Sequence, residues 1–145
     1  MTNSSKPLGH ADDSGFDFVR ELLAGEPTYA INFDRLQKHP RLGYIIFEFL
    51  LTDASQVVTP NTSHPNKYWH KNSMKFISLW QAAKDLSATL YLVNYAKNNT
   101  PNANKVTAIK VLEIDSEKGI TKEIKKDFTR SEFAVWFRQL NNECR

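Results

Sequence analysis

The clearest pattern of apolar and polar positions lies between residues 29 and 52, where the period is that of extended strands. In the first predicted strand, residues 29–36, Tyr29, Ile31 and Phe33 alternate with Ala30, Asn32 and Asp34. In the second, residues 44–52, positions 44–51 are apolar on both faces except at Glu48. A proline and a glycine punctuate the segment between them, so two strands joined by a short basic turn are predicted.

The register of this hairpin decides which side chains share a face. If Leu36 lies opposite Tyr44, antiparallel pairing places Asp34 and Glu48 on the same face of the sheet. A slip of one residue would separate them, because successive side chains of a strand point to opposite faces. We therefore expect the two acids to lie near each other.

The rest of the chain shows helical and extended periods in turn. After residue 53 the periodicity is lost until Ser73, which predicts a long loop. The other predicted elements are a helix from Ser14 to Gly25, a helix over residues 73–88 with Ser73 as N-cap, a strand over residues 89–95, a hairpin of residues 106–115 and 120–128 with its second strand at an exposed edge, and a closing helix from residue 130 with a capping box of Thr129 and Glu132. This order predicts an α+β fold, an α/β sandwich in which helices pack on a central mixed sheet of about five strands.

Composition narrows the class of protein. The 145 residues, 41% of them hydrophobic, suit one domain, and we expect it to span residues 14–145 after a flexible arm of residues 1–13. The single cysteine, Cys144, excludes an internal disulfide and a cysteine-based metal cluster. Because the sequence has neither a long apolar run nor a signal-peptide pattern, a soluble cytoplasmic protein without a membrane partner is predicted. The net charge of +3 is compatible with a nucleic-acid partner.

Two carboxylates form the first candidate site. Burying Glu48 in an apolar strand is costly unless it has a partner or a metal ion. Asp34 and Glu48 could together hold Mg²⁺, which prefers one or two carboxylates with water completing its shell. In the alternative, structural interpretation, Asp34 pairs with Arg35 or Arg41, and Glu48 accepts a hydrogen bond from Asn32 or a tyrosine.

This arrangement resembles the PD-(D/E)xK nuclease superfamily over residues 16–95. An aspartate and a glutamate lie on adjacent strands fourteen positions apart, before a helix that leads into another strand. The resemblance implies a restriction-endonuclease-like fold and metal-dependent cleavage, with Asp34 and Glu48 as metal ligands and Glu21 as the helical acid of some members. Leu50 occupies the position of the motif lysine.

Members that lack a lysine at that position can supply it from the following helix. The resemblance therefore makes Lys75 or Lys71 the candidate catalytic lysine. The family sheet usually has one more strand before the first acid, for which this chain has little room.

The second candidate site is the basic and aromatic segment around residue 68. Lys67, Tyr68, Trp69 and Lys71 combine charges for phosphates with rings that could stack on bases, as in proteins that bind single strands. Alternatively, the two aromatic rings fold back onto the core. His64 and His70 lie six positions apart in the same segment, but no cysteine lies near them, which disfavours a zinc site.

Two hypotheses of function remain. The first is a small metal-dependent nuclease, or a nuclease-like protein that binds nucleic acid. The second is a non-enzymatic interaction protein, such as a regulator or inhibitor of a bacterial mobile element. The sequence does not distinguish DNA from RNA, and it leaves the oligomeric state open, a homodimer included.

Overall fold

The computed structural model describes residues 14–144 and has the α+β architecture predicted from the sequence. Its helices and strands are α1 (Ser14–Leu23), β1 (Arg35–His39), β2 (Gly43–Leu51), α2 (Trp69–Asp85), β3 (Thr89–Tyr95), β4 (Lys105–Asp115), β5 (Gly119–Thr129) and α3 (Arg130–Glu143). A 3₁₀ helix, Pro65–Tyr68, leads directly into α2. No helix within this described part of the chain is both long and apolar enough to cross a bilayer.

The five strands lie side by side in the order β1-β2-β3-β4-β5. The strands β2 and β3 are parallel, with α2 in the connection between them, and the other neighbouring strands are antiparallel. The prediction of a mixed sheet of about five strands is therefore confirmed. The sheet places β3 at its centre and β5 at an edge, as the sequence predicted.

Two helices cover the two faces of the sheet. The side chains of β2 alternate, so Ile46 and Leu50 pack with the α2 cluster, while Ile45, Phe47 and Phe49 pack with the α3 cluster. Glu48 belongs by this alternation to the face that α2 covers. An acid in the middle of β2 is therefore directed at the helix that follows it.

Contacts divide the chain into two compact units. One unit ends at Ile31 and contains α1, which begins at Ser14 as predicted. The other begins at Asn32 and contains the whole sheet with α2 and α3. The predicted flexible arm of residues 1–13 lies outside the described residues.

The predicted first strand is wrong in position. Residues 29–33 are not in a strand, and β1 instead occupies Arg35–His39, which overlaps only the last two residues of the predicted strand 29–36 and extends into the segment assigned to the turn. The turn is shorter than expected because His39 Nδ1 accepts hydrogen bonds from the amides of Arg41 and Leu42, at 3.1 and 3.0 Å. Gly43 then takes the positive φ of 79° that closes the turn.

The shorter turn changes the register by two residues. Leu36 lies opposite Ile46 rather than Tyr44. Because the shift is an even number, the side chains of β2 keep their expected relation to the faces of the sheet. The acids consequently come together by a different register from the predicted one.

The predicted start of the second helix is also wrong. The helix α2 begins at Trp69, four residues before Ser73, and Asn72 interrupts it with φ −130° and ψ 15°. Because regular helical geometry resumes only after this kink, the apolar periodicity becomes visible at Ser73. The capping box of Thr129 and Glu132 at the start of α3 is confirmed.

Candidate active site

Asp34 is held beside Glu48 by the backbone of β2. The Asp34 amide donates to the Phe47 carbonyl at 3.2 Å, and the Asp34 carboxylate accepts from the Phe49 amide at 2.7 Å. Phe47 and Phe49 flank Glu48 in the chain. Asp34, which immediately precedes β1, therefore hydrogen-bonds to the residues on both sides of Glu48.

Glu48 is buried and is paired with a lysine from α2. Its residue exposure is 5%, and its Oε2 atom lies 3.2 Å from Lys75 Nζ. The Lys75 side chain is 45% exposed, so its amine connects the buried acid to solvent. The structure thus brings together Asp34, Glu48 and Lys75, the three residues that the sequence proposed for catalysis.

The surroundings of Glu48 change its proton affinity. The pKa of Glu48 is raised from 4.5 to about 7, chiefly by burial and also by the hydrogen bond and charge of Asp34, against the opposing effect of Lys75. Near neutral pH, Glu48 therefore carries a proton for much of the time. That proton can be donated to Asp34, so two acids that would repel each other share one hydrogen bond.

The two arginines considered as partners of Asp34 are engaged elsewhere. Arg35 donates to Gln37 at 2.6 Å and to Asn141 at 2.8 Å. Arg41 lies 3.7 Å from Glu143. The sheet-edge pairing of Asp34 with either arginine is therefore not what the structure shows, and Lys75 is the cation beside the two acids.

The donor set fits a hard divalent cation. Asp34 and Glu48 supply two carboxyl groups in contact, and Asp34 lies at the solvent-exposed side of the pair. A cation bound there would replace the shared proton and remove the repulsion between the two charges. No group of three or more histidine, cysteine, aspartate or glutamate side chains suited to a metal occurs among residues 14–144, so water would complete the coordination shell.

A pocket of about 390 Å³ opens next to Lys75. It lies between the end of β2, the segment before the 3₁₀ helix and the first turns of α2. Its polar walls include Tyr68, Lys71, Asn72 and Lys75. Two lysines four residues apart in α2 therefore line the cavity, and one of them, Lys75, also contacts the buried acid.

The four residues proposed for nucleic-acid binding have different environments. Trp69 is only 3% exposed, donates from Nε1 to the Ser116 carbonyl at 3.0 Å and stacks on Phe76. The expectation that its ring contacts a base is therefore wrong, because the ring fills the core. Tyr68 is half-buried in the wall of the pocket, Lys71 lines the pocket, and Lys67 is exposed on the 3₁₀ helix.

Two asparagine side chains and a histidine hold the segment between β2 and α2 in place, a role that was not predicted from the sequence. The Asn66 side chain accepts from the Ile120 amide at 2.8 Å and donates to the Ile120 carbonyl at 3.0 Å. The Asn94 amide donates to two loop carbonyls, at 3.2 and 2.7 Å. A signal was present for Asn94, because it is the polar residue within an otherwise apolar and aromatic strand.

His64 is an anchor of the same loop. Its Nδ1 accepts from the Asn66 amide at 3.0 Å, and its Nε2 lies 2.6 Å from Glu123 Oε1. Both ring nitrogens are therefore engaged in protein contacts, which is the arrangement of a structural histidine and not of a zinc ligand. The segment between β2 and α2 is therefore anchored to the sheet and forms one wall of the pocket.

The fold and the site define a class of protein only in chemical terms. It is an α+β protein with two carboxyl groups and a lysine clustered on the helix-covered face of its sheet. Comparison of the chain with protein-family models, with curated proteins and with solved structures gave no match. The resemblance to the PD-(D/E)xK superfamily stays a prediction.

Proposed function

We propose that this protein is a metal-dependent nuclease in which Asp34 and Glu48 hold the divalent cation and Lys75 is the neighbouring catalytic cation. The observation that carries the proposal is the contact between two carboxyl groups, one of them buried, with a lysine amine 3.2 Å from the buried one. A buried carboxyl group whose pKa is strongly raised, as that of Glu48 is, is typical of functional sites.

The geometry also accounts for the departure from the family motif. Leu50, at the position of the motif lysine, packs against the apolar cluster under α2. Lys75 approaches Glu48 from that helix instead. The proposal therefore needs no lysine on β2, and Lys75 takes the role that Lys71 could also have taken.

The chemistry follows from the side chains present. A bound Mg²⁺ would stabilise charge on a phosphodiester and make water a stronger nucleophile. Asp34 and Glu48 would hold that ion, and Asp34 is itself oriented by the Phe49 amide. Lys75 would stabilise the negative charge that develops on the phosphate in the transition state, from a position fixed before the substrate arrives.

A non-enzymatic interaction protein is the second candidate, and one observation favours it. The ion pair of Glu48 with Lys75 satisfies a buried carboxylate without any metal. Under this hypothesis the pair stabilises the packing of α2 on the sheet. The basic pocket then serves a protein or nucleic-acid partner without cleavage.

Thermal melts with and without Mg²⁺ or Mn²⁺ distinguish the two candidates. A cation that binds only the folded state must raise its stability, by about 1.4 kcal/mol at ten times its Kd. We expect this gain in the wild type and its loss in Glu48→Gln and Asp34→Asn. Glu113→Gln is the matched control, because Glu113 lies on β4 in an exposed pair with Lys122 at 3.6 Å.

Cleavage is measured on the same four proteins. Single-stranded and double-stranded DNA and RNA are incubated with Mn²⁺, and we expect products from the wild type and the control only. A wild type whose stability is unaffected by either metal and which cleaves none of the substrates would refute the proposal. Cleavage retained in Glu48→Gln would also refute the assigned role of Glu48.

A further inference from the structure

The pocket beside Lys75 is lined by side chains of two chemical kinds. Apolar side chains come from the end of β2 together with Val58 and Phe76. Lys71 and Lys75 contribute positive charge, and neutral polar side chains, among them Asn72, complete the lining. A ligand that fits this pocket has a flat or apolar part and an anionic part.

One residue, Lys75, links the pocket to the two acids. Lys75 lines the pocket and also lies 3.2 Å from Glu48. An anion that reaches this lysine therefore lies near the proposed metal site. Lys71, four residues earlier in α2, adds a second positive charge to the lining of the pocket.

We propose that this pocket accepts one unpaired nucleotide of a single-stranded nucleic acid, with the base against Tyr68 and the flanking phosphates on Lys71 and Lys75. The inference rests on the proposed function, because it takes the acids beside Lys75 as the place where the strand is cut. It adds the substrate class, which is a single strand or an unpaired end and not an intact duplex.

Each part of the nucleotide meets a suitable group in this pocket. Tyr68 is half-buried and in contact with Phe76, with ring centroids 6.4 Å apart, so its ring is held in place by the core. A ring fixed in this way can stack on any base at little entropic cost. Asn72, where α2 is kinked, and Ser63 are neutral groups able to hydrogen-bond the edge of a base.

The anchored walls of the pocket disfavour the entry of a paired base. Asn66 and His64 tie the loop to β5, and Asn94 ties it to the central strand. A cavity of about 390 Å³ between fixed walls is large enough for a nucleotide, but a paired base would first have to leave its duplex. Base pairing therefore competes with binding in this pocket.

The test is equilibrium binding of fluorescein-labelled oligonucleotides in EDTA, where no cleavage occurs. A twelve-residue single strand is compared with the blunt duplex of the same sequence. We expect the single strand to bind about 5- to 100-fold more tightly, as base stacking on an aromatic ring provides. Lys71→Ala should weaken binding and reduce the slope of log affinity against log salt by about 0.7.

Two further variants complete the test. Tyr68→Ala should remove most of the preference for the single strand, whereas Lys84→Ala, at the far end of α2 over the Trp80 ring, should leave binding unchanged. If Tyr68→Ala fails to fold, the exposed Lys71 still decides the matter. Equal affinity for both substrates, or equal losses in Lys71→Ala and Lys84→Ala, would overturn the inference.

The binding assay and the cleavage assay can refute the pocket and the metal site separately. Selective binding that depends on Lys71 supports the pocket even when Mn²⁺ gives neither products nor a gain in stability, and that combination refutes the metal site alone. Cleavage of duplex and single strand at the same rate, without selective binding, refutes the pocket and leaves the metal site standing.

Discussion

Replacing Glu48 with glutamine tests how the buried acid contributes to stability. Glutamine keeps the shape of the side chain and a hydrogen-bond donor for Asp34, but it cannot ionise. The Lys75 side chain is 45% exposed, so its amine can turn to water when the carboxylate is gone. The substitution therefore removes mainly the cost of holding a charge at a buried position.

The sign and size of the effect follow from the pKa. The folded protein holds the Glu48 proton with a pKa of about 7, above the ordinary 4.5 that we take for the unfolded chain. The stability that this proton contributes is complete below pH 4.5 and is lost as the pH rises through 7. The difference corresponds to about 3 kcal/mol, at about 1.4 kcal/mol for each tenfold change in proton affinity.

Urea unfolding of the wild type and Glu48→Gln at about pH 4.5 and about pH 8.5 measures this difference. We expect the stability of the variant relative to the wild type to rise by about 3 kcal/mol between the two pH values. The exposed Glu113→Gln control should show a much smaller change. A relative stability that is independent of pH, or a variant that is less stable than the wild type at the higher pH, would refute the reasoning and indicate that the ion pair with Lys75 is net stabilising.

Three other predictions concern the ion pair of Glu48, the anchor of the pocket wall at Gly119 and the N-cap of α3. Lys75→Met should raise the pKa of Glu48 still higher, since Lys75 lowers it. Carboxyl-carbon NMR titration measures this pKa, and an unchanged midpoint would contradict the prediction. Gly119→Ala should cost about 1–3 kcal/mol in urea unfolding, because Gly119 has φ 99° and a Cβ there would clash with Asn66 Oδ1; a loss no larger than that of Gly15→Ala, which meets open space, would contradict this. Thr129→Ala should cost about 1 kcal/mol by removing the N-cap of α3, whereas Thr129→Ser should restore most of it in the same assay.

The elements with strong local signals were predicted well from the sequence. The central strand β3 has the predicted bounds, and α3 begins at its predicted capping box. These elements depend on periodicity and capping within the element itself. The parallel pairing of β2 with β3 could not be predicted in the same way, because strand order depends on how α2 crosses the sheet.

The first strand shows why the hairpin was misplaced. The alternating residues 29–33 have the composition of a strand, whereas Arg35–His39 is polar. His39 nevertheless lies in β1 with an exposure of 1%, since its ring accepts two turn amides and contacts Glu143 of α3 at 2.8 Å. A tertiary contact with a helix about a hundred residues later cannot be seen in local periodicity.

In the candidate site too, local patterns were predictable and tertiary contacts were not. The cost of burying Glu48 was visible in the sequence because every neighbour of that acid in the strand is apolar. The resemblance to the nuclease superfamily also made Lys75 a candidate on the following helix, and its side chain is partly exposed there. What the pattern could not show is that the long stem of Lys75 returns the amine to the sheet.

The placement of Lys75 connects the chemistry of the site to the topology of the fold. Because β2 and β3 are parallel, the connection between them must return along the sheet, and α2 does so over the face that carries Glu48. Lys75 on that helix then reaches Glu48 in the middle of β2, where Asp34 also bonds to the strand. The two acids and the lysine therefore depend on one crossover connection, so a change that moves α2 should alter the Glu48 pKa and the basic pocket together.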